Sequence, residues 1–316
     1  MNNNHRSFVC GIKGKHLSDK EKKFLMKYKP WGIILFSRNI KSIQQTQMLT
    51  NSIKKIFKNE NYPILIDEEG GRVSRLKNFI DNSIFTAKYF GDLYKTNNKK
   101  FDLYYSVYIK QISYLLRTLG ININSVPVLD IRRSNSHNII GDRSYSSDKT
   151  IVSKIGNICI EKFHNNRIAT IIKHIPGHGL AKCDSHKKLP IINKKISYLL
   201  KNDFRTFKNK SSLLAMTGHL LYKNIDRTNA ATHSIKIINL IRNKIGFKNL
   251  IITDDLSMKS LKYSLEDNVK KSFLAGCNLV LHCNGILKEM LIVAKNSPKI
   301  DKFIIKKTSQ LSHIIS

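Results

Sequence analysis

The stretch ATIIKHIPGHGLAKCDSH, Ala169 to His186, decides how the chain is read. Its start, Ala169-Thr170-Ile171-Ile172, is an unbroken apolar run with β-branched residues and reads as a buried strand. The run stops at Lys173-His174, and a polar segment hinged on Pro176, Gly177 and Gly179 follows. Functional side chains concentrate on loops held at the ends of rigid strands, so this loop is a candidate active site. Within it, Asp184 and His186 are spaced i, i+2. A carboxylate at that distance can orient an imidazole and favour its charged form, which prepares a general acid/base.

The same pattern recurs along the chain. Residues 63–66, Pro-Ile-Leu-Ile, end in Asp67-Glu68-Glu69-Gly70-Gly71-Arg72, with Arg75 beyond. Residues 250–253, Leu-Ile-Ile-Thr, end in Asp254-Asp255. A carboxylate at the tip of a buried strand is costly unless paired or at work. Candidate strands lie at 8–12, 31–36, 63–66, 121–129, 169–172, 213–216, 250–252 and 278–281. Helix-like stretches lie at 18–29, 41–58, 101–119, 148–165 and 197–207. Ser18 and Glu21 have capping-box spacing, and Asp148 can cap the helix it opens. Non-alternating strands suit a parallel sheet covered on both faces. Eight of them, with Asp67, Asp130, Lys173-His174, His219, Asp254 and His282 at their ends, predict a (β/α)8 barrel, one domain over residues 1–316. An open parallel sheet is the alternative. Gly11-Ile12-Lys13-Gly14 lacks the third glycine of a dinucleotide fingerprint.

Composition narrows the class. The hydrophobic fraction of 41% is that of a globular protein. No run approaches the roughly 18 apolar residues of a membrane span, and the N-terminus has no signal-peptide core, so a cytoplasmic location is expected. The five cysteines form no CxxC pair, which fits reduced thiols. Cys10, Cys159 and Cys277 read as core, and Cys183 as a passive loop residue. The net charge of +33 is spread over every polar segment, with Lys far above Arg and Asn and Ile abundant. That reads as codon drift and a solvated basic surface, not a nucleic-acid site.

The chain resembles the short, single-domain bacterial β-N-acetylhexosaminidases of glycoside hydrolase family 3. The segments that carry the resemblance are WGIILFSRNI (31–40), IDEEGGRVSRL (66–76), PVLDI (127–131), GDRSY (141–145), KHIPGHG with DSH (173–186), MTGHLLY (216–222), GFKNLIITDDLSM (246–258) and AGCNLVLHCN (275–284). Ile175 replaces the family's usual Phe, Asn278 its usual Asp, and the stretch between the DSH loop and the TDDLSM strand is slightly short. The resemblance implies a TIM-type barrel that releases terminal β-linked N-acetylglucosamine from muropeptides during cell-wall recycling. It implies Asp254 as nucleophile and His186 as acid/base with Asp184 as its partner. Asp67, Arg75, Arg143, Lys173 and His174 match sugar-binding positions. No metal and no cofactor are implied, and a monomer is expected. Asp255 is expected to cap the next helix, and His178 to be structural. Glu68 and Glu69 are expected to support the glycine turn. His219 reads equally as pocket-lining or as a buried, hydrogen-bonded residue. Three rivals remain at this level: a metal-dependent hydrolase, a phosphorolytic variant, and a non-catalytic basic protein that binds nucleic acid or wall fragments.

Overall fold

Every barrel strand is buried on both faces, and this explains the missing hydrophobic alternation. In a computed structural model, which describes residues 2–134, 138–185 and 187–316, the strands are β1 (Arg6–Gly11), β2 (Pro30–Leu35), β3 (Ile64–Ile66), β4 (Ile123–Asn124), β5 (Ala169–Ile175), β6 (Ile191–Ile192), β7 (Leu214–Thr217), β8 (Leu221–Tyr222), β9 (Leu250–Asp255) and β10 (Leu279–His282). Eight of them close a barrel in the order β1-β10-β9-β7-β5-β4-β3-β2, and all neighbouring pairs are parallel. β6 and β8 pair separately as a small sheet that the sequence reading did not anticipate.

Helices alternate with the strands: α1 (Asp19–Tyr28), α2 (Ile43–Phe57), α3 (Ala87–Thr96), α4 (Asn98–Thr118), α5 (Lys149–Asn165), α6 (Ile196–Lys201), α7 (Ile235–Leu240), α8 (Leu265–Ala275), α9 (Leu287–Asn296) and α10 (Lys302–Ile315). The capping box of α1 forms as expected: Glu21 N donates to Ser18 Oγ, and Ser18 N donates to Glu21. Asp148 caps α5 by accepting from Thr150 N. The expected helix at 197–207 is shorter; α6 ends at Lys201 and a 3₁₀ turn, Asp203–Phe207, continues the path. The expected strand at 121–129 pairs over only two residues. Pro127 has no N–H to give a ladder, and pairing resumes where Leu129 N donates to Lys173 O.

The core divides by strand face. Val9, Ile34, Leu65, Ile123, Ile171, Leu214, Ile252 and Leu281 fill the barrel interior. Their neighbours Phe8, Cys10, Ile33, Ile64, Ile172, Ile251 and Val280 pack outward against the helices. The C-terminal helix α10 closes the end opposite the strand tips. Ile304 and Leu311 join the interior cluster, and Trp31 Nε1 donates to Thr308 Oγ1 at 2.8 Å. Both partners are buried, so this bond carries the one polar atom of the largest buried side chain. Cys10, Cys159 and Cys277 are buried, in line with the core reading. Leu311→Ala should empty this plug and cost about 2–5 kcal/mol in denaturant unfolding. A change under about 1 kcal/mol would mean that α10 does not seal the barrel.

Candidate active site

The strand tips open into one cavity of about 170 Å³. It is lined by Asp67, Arg75, Arg143, Lys173, His174 and Asp254, six of the eight residues singled out from the sequence. Ser185 lines it too, and it stands in sequence between the other two, Asp184 and His186. Asp184 is half-buried, and the N–H groups of Lys187 and Lys188 donate to its carbonyl. His186 lies outside the described residues.

A chain of buried charges forms the floor. Lys173 Nζ donates to Asp67 Oδ1 (2.9 Å) and to Ser125 Oγ (3.0 Å), and it sits 2.7 Å from Glu69 Oε1. Arg143 grips Glu69 with both arms, Nε to Oε2 at 2.7 Å and Nη2 to Oε1 at 2.8 Å. Arg75 Nη2 stands 3.7 Å from Asp67 Oδ2. Burial works against the charge on both carboxyls. The cations win: Lys173 and Arg75 hold Asp67 below the ordinary carboxylate range, and Arg143 and Lys173 hold Glu69 well below it. Burial would lower Lys173 and Arg143 in turn, but Asp67 and Glu69 raise both. The cations therefore stay charged in a dry setting, where N–H donation to hydroxyl or anionic oxygens is strong.

Glu69 is a correction to the sequence reading, which left it as a turn support. Glu68 does that work: its carboxylate accepts from Arg75 N (2.6 Å), Leu76 N (3.1 Å) and Asn82 Nδ2 (2.6 Å). Asp67 and Glu69 reach the cavity and Glu68 turns away, the i, i+2 alternation of extended chain. That alternation was the available signal. Gly70, at φ +87°, lets the turn close, since a Cβ there would stand 2.4 Å from the Phe85 carbonyl.

The second anchor is Asp130. His174 Nδ1 lies 2.7 Å from Asp130 Oδ2, and His178 N donates to Oδ1 at 2.6 Å. Burial opposes the charge on Asp130, but His174 and these bonds hold its carboxyl below the usual range. His219 takes its buried, hydrogen-bonded reading, with Nδ1 2.8 Å from Thr232 Oγ1 and Nε2 3.0 Å from the Asp255 carbonyl. Asp255 does not cap a helix. α8 begins at Leu265 on Ser264, and Asp255 instead accepts from Ser257 N, Ser257 Oγ and Cys283 N. Asp254 is half-buried at the end of β9, and its Oδ1 accepts from Asp255 N at 2.8 Å. Cys283, absent from the sequence reading of the site, also lines the cavity, and burial pushes its thiol up. Among the described residues, no group of three or more His, Cys, Asp or Glu side chains is arranged to hold a metal ion.

A closed parallel barrel with carboxylates, guanidinium groups and imidazoles gathered at the strand C-termini is the architecture of a TIM-barrel enzyme that works on a polar substrate. Residues 8–309 match the glycosyl hydrolase family 3 N-terminal domain. The chain belongs to that family and is a glycoside hydrolase. A beta-hexosaminidase of Hydrogenovibrio crunogenus is 30% identical over 278 residues, which span 85% of this chain and 76% of the relative. A glycoside hydrolase family 3 beta-N-acetylglucosaminidase from Paenibacillus sp. str. FPU-7 superposes with a TM-score of 0.85 at 26% identity. That match covers 98% of this chain but 60% of the Paenibacillus chain. NagZ from Neisseria gonorrhoeae, solved in complex with zinc ion, superposes with a TM-score of 0.82 at 26% identity, covering 98% and 90% of the two chains. No helix among the described residues is long and apolar enough to cross a membrane.

Two outcomes test the charge chain. Glu69→Gln leaves Arg143 and Lys173 short of a buried counter-charge and should cost about 3–5 kcal/mol in urea unfolding. A cost below about 1 kcal/mol would mean that the pairs contribute little. The pH response follows from lowered values in the folded state. Asp67, Glu69 and Asp130 are lowered by their partners; His164, His178 and His233 are lowered to about 4, mainly by burial. For each, the unfolded chain binds protons more readily, so acid favours unfolding. The histidine contribution is complete above about pH 6.5 and fades as pH falls toward 4; the carboxylate contribution is complete above about pH 4 and fades below. Unfolding free energy should therefore decline from pH 7 to 4 and further below 4. A flat profile from 7 to 3 would contradict these assignments.

Proposed function

We propose that this chain is a retaining β-N-acetylhexosaminidase that removes terminal β-linked N-acetylglucosamine from cell-wall fragments. Its natural substrate would be N-acetylglucosaminyl-1,6-anhydro-N-acetylmuramic acid, with or without peptide, met in the cytoplasm during peptidoglycan recycling. One observation carries the reading: Asp254 shares a single small cavity with Arg75, Arg143, Lys173, His174 and Ser185 of the Asp-Ser-His loop. The names of the relatives support the hexosaminide as substrate.

In this reading Asp67, Arg75, Arg143, Lys173 and His174 bind the sugar. The charged pairs fix their side chains before substrate arrives, so little ordering remains to be done on binding. Asp254 attacks the anomeric carbon, and a carbon–oxygen bond to its carboxylate forms as the glycosidic bond breaks. His186 gives its proton to the departing oxygen. In the second step it takes a proton from water, which displaces Asp254 and restores the free carboxylate. Asp184 orients the imidazole and stabilises its charged form. A histidine suits both halves because its unperturbed pKa, about 6.5, lies close to working pH. The chain acts as a monomer and uses no cofactor.

The test is hydrolysis of a chromogenic β-N-acetylglucosaminide. Wild type should be active, and Asp254→Ala should lose at least about a thousandfold in kcat/KM while remaining folded. His186→Ala should be impaired most on glycosides whose leaving group needs a proton. An active Asp254→Ala protein would remove the nucleophile assignment. A folded but inactive wild type would remove the hexosaminidase reading, and a sugar phosphate formed in phosphate buffer would make the enzyme a phosphorylase.

A further inference from the structure

The loop after β5 contains His178, a histidine that the proposed chemistry does not use. It is 2% exposed and lines the cavity. Its backbone is fixed from three sides. His178 N donates to Asp130 Oδ1 at 2.6 Å. The carbonyl of Gly177 accepts from the buried Tyr222 hydroxyl. Gly179 lies so close to the chain that a Cβ there would stand 2.2 Å from the Ile131 carbonyl. The ring is held edge-on to His174, centroids 5.4 Å apart, and His174 is itself bound to Asp130. From this fixed base, His178 Nε2 reaches 3.0 Å to Ser185 Oγ. Ser185 is 3% exposed, although most of the surrounding stretch, Lys182 to Leu189, is half-buried or exposed. One buried bond thus ties the loop to the strand end at the residue that joins Asp184 to His186.

We infer that His178 is a positioning residue whose bond to Ser185 holds the Asp-Ser-His segment at its middle residue, which lines the sugar pocket. The inference rests on the hexosaminidase reading, in which that segment delivers the proton to the leaving oxygen. A misplacement of about 1 Å in a catalytic group can cost about a hundredfold in rate. His178 itself is a poor proton donor here: burial, then the neighbouring His174, lower it to about 4, so the ring is neutral near pH 7. A neutral ring serves as a hydrogen-bonding strut, and a glutamine amide can stand in for its Nε2.

The experiment compares kcat/KM for two β-N-acetylglucosaminides, one with a dinitrophenyl leaving group and one with an alkyl leaving group. kcat/KM reports bond cleavage, which needs the acid only for the alkyl glycoside. His178→Phe and Ser185→Ala should lose at least about tenfold on the alkyl glycoside and less than about threefold on the dinitrophenyl glycoside, with KM nearly unchanged. His178→Gln should recover most of the alkyl activity. Equal losses on both glycosides, or none on either, in variants that keep the wild-type circular dichroism would overturn the inference. So would a His178→Gln protein no better than His178→Phe. Wild-type protein inactive on both glycosides would overturn the hexosaminidase reading beneath it, an outcome distinct from active wild type with indifferent variants.

Discussion

Lys173 is the constraint on which the mouth of the barrel depends. Its ammonium is almost fully buried at the end of β5, and an isolated charge there would be forbidding. Asp67 and Glu69, both from the end of β3, answer it, and Glu69 then needs Arg143 while Asp67 draws in Arg75. One buried cation thereby fixes the positions of four further charged side chains from two separate segments of the chain. Each carboxylate is held below its ordinary pKa and each of its buried cations above, so the group stays ionised as a set. Replacing one member leaves its partner exposed to the full desolvation cost. The same property makes the set suited to sugar recognition, because hydroxyl groups meet donors and acceptors already in place.

Asp130 plays the matching part beside this set, on the segment that follows β4 between β3 and β5 in the barrel. It receives the ring of His174 and the backbone of His178, and so organises the start of the loop after β5. The pocket is therefore built from two acid-centred networks, one around Asp67 and Glu69 and one around Asp130. Asp254 comes from β9, supported by the turn that Asp255 holds together. Scaffold and chemistry are separate: the interior aliphatic layer and the α10 plug close the barrel far below, and the strand tips are left to carry charge.

Much of this was legible in the sequence for a physical reason. A strand buried on both faces leaves a non-alternating aliphatic run, and a polar residue at its tip stands out against that run. This is why Asp67, Lys173, His174 and Asp254 could be picked out as strand-end residues, and why eight such runs pointed to a barrel. The resemblance to glycoside hydrolase family 3 added Arg75 and Arg143, which sit outside any strand, and the structure brings both into the cavity. Glu69 was lost among three consecutive acids, where only the facing of each side chain separates a pocket residue from a turn support. Helices α3 and α7 to α10 were not delimited, although the apolar and polar faces of α3 and α10 are well separated. His178 read as structural; only the bond to Ser185, a contact through space, gives it a place in the loop's geometry.

Asp254 is the group proposed to take the sugar. A 5-fluoro-N-acetylglucosaminyl fluoride forms the glycosyl-enzyme quickly and releases it slowly, so the intermediate accumulates. Peptide mapping by mass spectrometry should then find the fluorinated sugar on the peptide that contains Asp254, attached to that residue. Rapid turnover with no covalent adduct, or an adduct on another residue, would contradict the assignment.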